Sequence, residues 1–438
     1  MTKKNTKREE IVFRRLLIAM LSVFLVTALV LLVLIATIGK TNKSENGQTS
    51  NNDSNISTSM GDNNSTPSGD SGTKQITATV LNTGDILIHD NVLWGAKQSD
   101  GSYDFSKLFK EAKPYIQAAD YAVANLEVTL GGEAAGPYKG YPNFNCPDSL
   151  ADCVKTDGFD MLLTANNHIL DNGVAGMKRT MQQLKAKGID FLGTRENNSD
   201  PTYIIKEING IKIGMISYTY GTNSGSSELI NFFNSSNLNK FYTEAQSAVD
   251  AMKNGGAEAI VFYMHWGDEY HTTPNTYQKA VAQQLCNMGV DVIVGGHPHV
   301  LQPIDLLFAE GSEHTTVCLY STGNAVSNQR ISEMTGLCET GHTEDGVLFN
   351  YTFTRDSDGD VSLSAVDIIP TWVDRYGNAG NYQYTVYPLE TADMAENYGL
   401  DANTVAKAKA SYERTKKIMA EGLSECQQHL GCEIRFAE

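Results

Sequence analysis

The sequence predicts an α/β fold: a largely parallel β-sheet covered by helices, a second sheet packed against it, and one transmembrane helix in front. Three observations carry this. From residue 76 on, short β-rich strands end in polar residues and lead into helical stretches, again and again, which is the pattern of βαβ units. Residues 317–321, 347–354 and 361–368 are later apolar runs joined by turns and hairpins, and they point to the second sheet. Ahead of both, residues 16–38 are apolar and uncharged, about the 20 residues that cross a bilayer core.

Composition sets the frame. The chain has 438 residues, 41% hydrophobic and 19% charged, which is ample for a large core. Its formal net charge of −17 argues against nucleic acid as a partner, because phosphate recognition needs a basic surface. An acidic ligand would have to be held by a metal centre or a local basic pocket.

Taken in order, residues 1–15 form a basic tail with Lys3, Lys4, Lys7, Arg8, Arg14 and Arg15. No small-residue cleavage site follows Ile38, so residues 16–38 read as a signal anchor rather than a cleaved signal peptide. The basic flank should stay in the cytoplasm, which places the rest of the chain outside the cell membrane. Residues 39–75 are mostly Asn, Ser, Thr, Gly and Asp. Such a stretch buries too little surface to offset ordering and is expected to be a disordered tether. The main domain is expected over 76–370, and 371–438 as a C-terminal extension packing on it.

Within the domain, a first strand at 76–81 ends at Asn82-Thr83-Gly84-Asp85, and a helix is expected over 105–119. Strands at 121–124 and 159–164 flank a helix over 147–155. The helix over 174–187 stops at Gly188. Asn209-Gly210, between runs at 203–208 and 211–218, is a strong hairpin signal. A helix near 242–253 leads to a strand at 259–264. Another over 274–288, with Pro274 in its first turn, leads to the strand that opens at Val292. Asp356-Ser357-Asp358-Gly359-Asp360 has the beginnings of a calcium loop, but Val361 and Asp367 stand where Gly and Glu are needed, so it reads as a hairpin turn. The aromatics of 382–387 suggest a surface strand. Residues 404–423 form an amphipathic helix with Asn403 as N-cap, packed on the domain or, alternatively, lying on a membrane surface. Of seven cysteines, Cys146/Cys153, Cys318/Cys338 and Cys426/Cys432 could close loops, with buried free thiols the equal alternative.

Strand after strand ends in a group that can ligate a metal: Asp85, Glu127, Asn167 with His168, His265, and His297 with His299. In a parallel sheet such ends share an edge, so residues distant in sequence converge. Each has an ordinary use when taken alone: Asp85 could cap a helix, Asn167 close a turn, His265 sit satisfied in the core. The ordinary explanation must then hold separately at every strand end, and as a set the residues point to a metal site. Gly295-Gly296-His297-Pro298-His299 is the most telling stretch. Its glycines break the strand into a loop, and in an extended segment two histidines one residue apart point the same way. Mixed imidazole and carboxylate donors suit Mn, Fe or Zn rather than calcium or magnesium. The ligands exceed the needs of one tetrahedral ion, so one or two divalent ions are expected; two would sit about 3.5–4 Å apart. His168, beside a ligand but free itself, could protonate a leaving oxygen.

These segments resemble the bacterial capsule-synthesis CapA family, whose relatives include the membrane-anchored subunit of poly-γ-glutamate synthases. The resemblance rests on Gly84-Asp85, Asn125-Leu126-Glu127, Ala165-Asn166-Asn167-His168 through Asp171-Asn172-Gly173, and His265-Trp266-Gly267-Asp268-Glu269-Tyr270. It continues through Gly296-His297-Pro298-His299-Val300 and Ser321-Thr322-Gly323-Asn324, with Pro370-Thr371-Trp372-Val373 as a tail. It implies a calcineurin-like metallophosphoesterase fold of two packed mixed β-sheets flanked by helices. It further implies that Asp85 and His299 hold a first metal, that Glu127 bridges where the superfamily usually has Asp, and that Asn167, His265 and His297 hold a second. His168 would be the acid. The superfamily usually places a His two residues after the first Asp; here that position is Leu87, and His89 follows it. Two functions stand open. One is a tethered metal-dependent phosphoesterase or amide hydrolase acting on an anionic envelope substrate or polymer. The other is a non-catalytic membrane component of capsule or polyglutamate assembly, working with other synthase subunits.

Overall fold

A computed structural model describes residues 75–429 and 433–436. The basic tail, the expected anchor at 16–38 and nearly all of the tether lie outside the described residues, as does Cys432. Among the described residues, no helix is long and apolar enough to cross a membrane.

The strands in chain order are β1 (Ile76–Ile86), β2 (Tyr121–Leu126), β3 (Met161–Leu163), β4 (Asp190–Leu192), β5 (Tyr203–Ile208), β6 (Ile211–Thr219), β7 (Ala259–His265) and β8 (Val292–Gly296). They continue with β9 (Leu301–Phe308), β10 (Thr315–Thr322), β11 (Asn324–Val326), β12 (Asp345–Arg355), β13 (Val361–Asn378), β14 (Asn381–Pro388) and β15 (Glu433–Phe436). They form two mixed sheets. One runs β14-β13-β12-β1-β2-β3-β4, with β11 also beside β1 and β15 beside β13. The other runs β5-β6-β7-β8-β10-β9. In the first, β1 to β4 pair in parallel; in the second, β6, β7, β8 and β10 do.

The division between sheets differs from the sequence expectation. Residues 347–354 and 361–368 do not build the second sheet. They return to the first, where β12 lies antiparallel along β1 from Ile76↔Arg355 to Asn82↔Phe349. The second sheet instead begins with the β5–β6 hairpin, whose turn places Asn209 at φ 49° and Gly210 at φ 86°, as a type I′ turn requires. The reason is burial. Val80, Val123 and Phe349 of the first sheet face Met215, Val261 and Val294 of the second across one apolar layer. Each side chain of this kind contributes about 1.5–3 kcal/mol when fully buried. Tyr263 and Tyr351 meet inside that layer, hydroxyl to hydroxyl at 3.0 Å, and Tyr351 also donates to Asn82 Oδ1 at 3.0 Å.

Helices close both outer faces. Helices Asp90–Ala96 and Ser149–Asp157 bring Val92, Leu93, Leu150 and Val154 onto the first sheet. Helices Leu238–Asn254 and Thr276–Asn287 bring Phe241, Val249, Val281 and Leu285 onto the second. The expected helix over 105–119 shrinks to Lys113–Ala118, with Pro114 in its first turn. Residues 105–112 are irregular because Phe105, Leu108 and Phe109 are drawn into the core. The 382–387 aromatics are not a surface strand: Tyr384 and Val386 of β14 are buried in the cluster under helix Asp90–Ala96.

The C-terminal helix spans Ala402–His429, and its start is capped by Asp401 rather than Asn403. Asp401 Oδ1 accepts from the Asn403 and Thr404 amides at 2.9 and 3.2 Å. Its Met419 and Leu423 enter the inter-sheet cluster, and Ala408 and Tyr412 pack with Trp372. The chain passes residue 370 inside β13 without a break. Asp356 Oδ1 accepts from the Asp358 and Asp360 amides at 2.9 Å, closing the β12–β13 hairpin. Cys146, Cys153, Cys286, Cys318 and Cys338 are buried free thiols, so the 146/153 and 318/338 loops are not closed by disulfides.

Candidate metal centre

The carboxyl ends of parallel strands from both sheets meet at one place. Asp85 lies near the end of β1, and Glu127 follows β2. Asn167 and His168 follow β3, His265 ends β7, and His297 and His299 follow β8. Contact across the sheets is direct: the His297 amide donates to Asp85 Oδ2 at 3.1 Å, over a sequence separation of 212. Gly296 permits this approach, since a Cβ there would stand 2.9 Å from Asp85 Oδ1.

Ligand atoms of Asp85, Glu127 and His265 all lie within 4.8 Å of one another, and so do those of Glu127, His297 and His299. Glu127 is common to both groups. Its Oε1 is 3.6 Å from His265 Nε2 and 3.8 Å from His299 Nε2, while His299 Nδ1 is 3.3 Å from Asp85 Oδ2. Asn167 Oδ1 lies 2.8 Å from His265 Nε2, which seats that ring. The cluster is buried throughout: Asp85 and Glu127 are fully covered, and each histidine is nearly so.

The residues fit a divalent cation. Glu127 Oε1, His297 Nδ1 and His299 Nδ1 are buried polar atoms with no hydrogen-bond partner. The approach of His299 Nδ1 to Asp85 is close, but its geometry is not that of a hydrogen bond. Orphaned lone pairs of this kind are expensive in a core unless something positive collects them. Carboxylates mixed with imidazoles are the donor set of Mn, Fe or Zn.

Electrostatics agree with that reading. Burial pushes the Glu127 carboxyl well above the usual range, helped by the charges of Asp85 and Glu269. Burial acts the same way on Asp85, but contacts with His299, the charge of His265 and the Asn125 amide outweigh it and bring the group below its ordinary value. Burial pulls His265 down to about 3, and pulls His297 well below its ordinary value, with His265 and His299 adding to the effect. Both rings are therefore neutral at physiological pH, with lone pairs available.

A carboxamide relay fixes the carboxylates. Asn125 Nδ2 donates to Asp85 Oδ1 at 2.8 Å and to Glu127 Oε2 at 3.3 Å. Asn166 Nδ2 in turn donates to Asn125 Oδ1 at 3.1 Å and to the Leu126 carbonyl at 2.8 Å. His168 stands at the edge of the cluster. Its Nδ1 donates to Asp171 Oδ2 at 2.8 Å, its ring lies edge-on to Phe144 at 4.7 Å, and Asn223 Nδ2 is 3.4 Å from its Nε2. A cleft of about 700 Å³ opens over His168 and His299.

The structure thus gathers Asp85, Glu127, Asn167, His168, His265, His297 and His299. His89 is not in either ligand group, but it lines the same cleft as His168 and His299; its Nδ1 accepts from the Asn328 amide at 3.3 Å and its ring meets Phe144. The histidine loop is not extended, as the sequence reading had it. His297 has φ 95° and His299 φ 58°, both left-handed, and their rings still stand 5.9 Å apart over one site. Sequence reasoning gave no role to Asn125, Asp171, Asn223 or Tyr220, whose ring lies 4.6 Å from His297. Asn125 had a readable signal, since it lies two residues before Glu127 and shares a strand face with it. Tyr220 and Asn223 lie just after β6, where no pattern marks them.

Fold and site together define an α/β protein of two packed mixed sheets flanked by helices, with a buried carboxylate–imidazole cluster where their strand ends meet. Residues 79–329 match the bacterial capsule synthesis protein family PGA_cap, and the chain belongs to that family. The capsule biosynthesis protein CapA of Bacillus anthracis is 29% identical over 297 residues, which are 67% of this chain and 66% of that one. The PGA biosynthesis protein CapA of Bacillus subtilis (strain 168) is 27% identical over 272 residues, 60% of this chain and 65% of that one. The match therefore spans just under two thirds of the length of these relatives. Among solved structures, the Haemophilus influenzae NAD nucleotidase NadN superposes with a TM-score of 0.42 at 14% identity, over 81% of this chain and 68% of that one, too distant to inform the site.

Proposed function

We propose that this chain is a membrane-anchored component of capsule biosynthesis whose extracytoplasmic domain carries a hydrolytic metal site of the calcineurin-like metallophosphoesterase type. Residues 16–38 would be the anchor, and Asp85, Glu127, Asn167, His265, His297 and His299 would hold one or two Mn, Fe or Zn ions. The observation that carries this reading is the buried cluster in which ligand atoms of Asp85, Glu127 and His265, and of Glu127, His297 and His299, lie within 4.8 Å of one another, while Glu127 Oε1, His297 Nδ1 and His299 Nδ1 have no hydrogen-bond partner. Membership of the capsule synthesis family supports the biological setting.

A bound divalent ion would supply Lewis-acid charge against a phosphoryl or carbonyl oxygen. The protein's own groups supply the rest. Asn125 and Asn166 hold the carboxylates in place before any ligand arrives, so little reorganisation is needed. Asp171 fixes the His168 ring through Nδ1–H; in the imidazolium form the ring also carries a proton on Nε2, which it would pass to a leaving oxygen, returning to the neutral ring held by Asp171.

The test is metal analysis of the full chain, stripped with chelator and reloaded, with bis(p-nitrophenyl) phosphate as substrate. Stoichiometric Mn, Fe or Zn with turnover, both lost in His297→Ala, is the expected result. A wild-type protein that takes up no metal and turns nothing over would refute the site. Stoichiometric metal without turnover on any phosphoester would leave the non-catalytic role in assembly standing.

A further inference from the structure

The cleft over the metal cluster has a chemistry of its own. No Lys or Arg lines it among the described residues; its charged walls are Glu269 and Glu333, the latter paired with Arg375 at 2.8 Å. Its hydrogen-bonding wall is neutral: the carboxamides of Asn143 and Asn223 line it, beside those of Asn328, whose Oδ1 accepts from Arg375 and Tyr384, and Gln329, which bonds Asn324 and Tyr270. Carboxamides both donate and accept, which matches hydroxyl groups and gives no net attraction to anions. At the rim, Tyr141 is 68% exposed and Leu337 is 67% exposed, two large apolar surfaces held out in solvent at the mouth. Such surfaces suit the C–H faces of a ring whose edges carry hydroxyls.

We propose that this cleft binds the phosphate ester of an uncharged, hydroxyl-rich group, a glycosyl or polyol phosphate, with the phosphate at the metal cluster and the hydroxylated part between the carboxamides and Tyr141. This rests on the reading of the cluster as a metal site. A polyanionic chain is disfavoured. Only its terminal acid would meet the cluster, and every further carboxylate would run past Glu269 with no cation to receive it. The volume, about 700 Å³, is large enough for more than one sugar ring.

Calorimetric titration of the Mn²⁺-loaded full chain with inorganic phosphate, α-glucose 1-phosphate and a γ-linked glutamate tetramer tests this. Glucose 1-phosphate is expected to bind about tenfold or more tighter than phosphate, and the tetramer no tighter than phosphate. Tyr141→Ala and, separately, Leu337→Ala should each cut the ratio of sugar-phosphate to phosphate affinity by about threefold or more. Both side chains are exposed, so neither change threatens folding. Leu337→Lys should strengthen the tetramer. Phosphate binding with no sugar preference, or a tetramer that binds tighter than glucose 1-phosphate, overturns this proposal alone. No Mn²⁺ uptake and no phosphate binding overturns the metal site and this proposal with it.

Discussion

One buried ion pair ties the C-terminal helix to the part of the domain that supports the site, and breaking it from one side tests that connection. Arg414 Nε donates to Asp345 Oδ2 at 2.8 Å, Nη2 to Oδ1 at 2.6 Å, and Ser411 Oγ also to Oδ1 at 2.6 Å. The Asp345 side chain is fully buried and that of Arg414 is 23% exposed. Arg414→Met keeps most of the stem and strands the carboxylate. Removing one partner of a buried pair costs about 3–5 kcal/mol, and the partial exposure of Arg414 places this case near about 3. At about 2 °C per kcal/mol for a large domain, Tm should fall by roughly 6 °C. The sign with pH follows from Asp345. Burial raises its pKa even against Arg414, and loss of Arg414 removes the main opposing influence. The folded state then holds the proton more tightly than the unfolded state. Stability should therefore fall as pH rises above the unfolded carboxylate value, and the loss should be smaller near about pH 5 than near about pH 8. Thermal and urea unfolding of wild type, Arg414→Met, Asp345→Asn and the double variant give the coupling directly. A coupling below about 0.5 kcal/mol, or a helix that melts in its own earlier step, would refute the claim that residues beyond 370 belong to the same cooperative unit.

Three other outcomes follow from the site and its setting. A Cβ on Gly84 would stand 2.0 Å from the Gly323 carbonyl oxygen, so Gly84→Ala must part β1 from β11. A cost of about 1–3 kcal/mol in urea unfolding, with weakened Mn²⁺ affinity in the same protein, is expected. Asp171→Asn frees the His168 ring and should lower turnover about tenfold or more on an ester with an alkoxide leaving group, and much less on one releasing p-nitrophenolate. Equal losses on both would count against His168 as proton donor. If residues 16–38 anchor the chain with its tail inside, protease added to intact cells should digest the domain, and survival of the domain there would reverse the orientation.

Much of the cluster was legible because its residues sit where strands stop. Asp85, Glu127, His265 and the two histidines after Gly296 could be picked out one strand at a time. What could not be read was which sheet each strand joins. β4 is a three-residue strand, Asp190–Leu192, too short for any alternation to show. The chain then changes sheets in the loop before β5. The return of β12 to the whole length of β1 is decided by long-range burial, not by local pattern. The end of the 105–119 helix pattern has a similar cause, with aromatic burial overriding local periodicity before Pro114. The N-cap at Asp401 was misplaced onto Asn403 because both residue types cap well, and the sequence does not say which side chain reaches the amides.

The histidine loop shows why spacing alone misjudged its backbone. Tyr270, His297 and His299 all occupy the left-handed region, at φ 64°, 95° and 58°, where side chains with a Cβ are strained by about 1–3 kcal/mol each. They are locked together: the Tyr270 amide donates to the Pro298 carbonyl at 2.8 Å, and Asn324 Nδ2 donates to the His299 carbonyl at 3.2 Å. Asn324 Nδ2 also bonds the Thr343 carbonyl at 3.0 Å, two residues before Asp345 and its clamp on Arg414. An extended His-Pro-His would leave this set of restraints unused. The left-handed one brings the His297 amide onto Asp85 while leaving both imidazole Nδ1 atoms without partners. Strain held by these contacts, beside buried ligand atoms without hydrogen-bond partners, is compatible with a preorganised cation site. Through Asn324 and the Thr343 carbonyl, that loop is joined to the segment whose Asp345 holds Arg414 of the C-terminal helix.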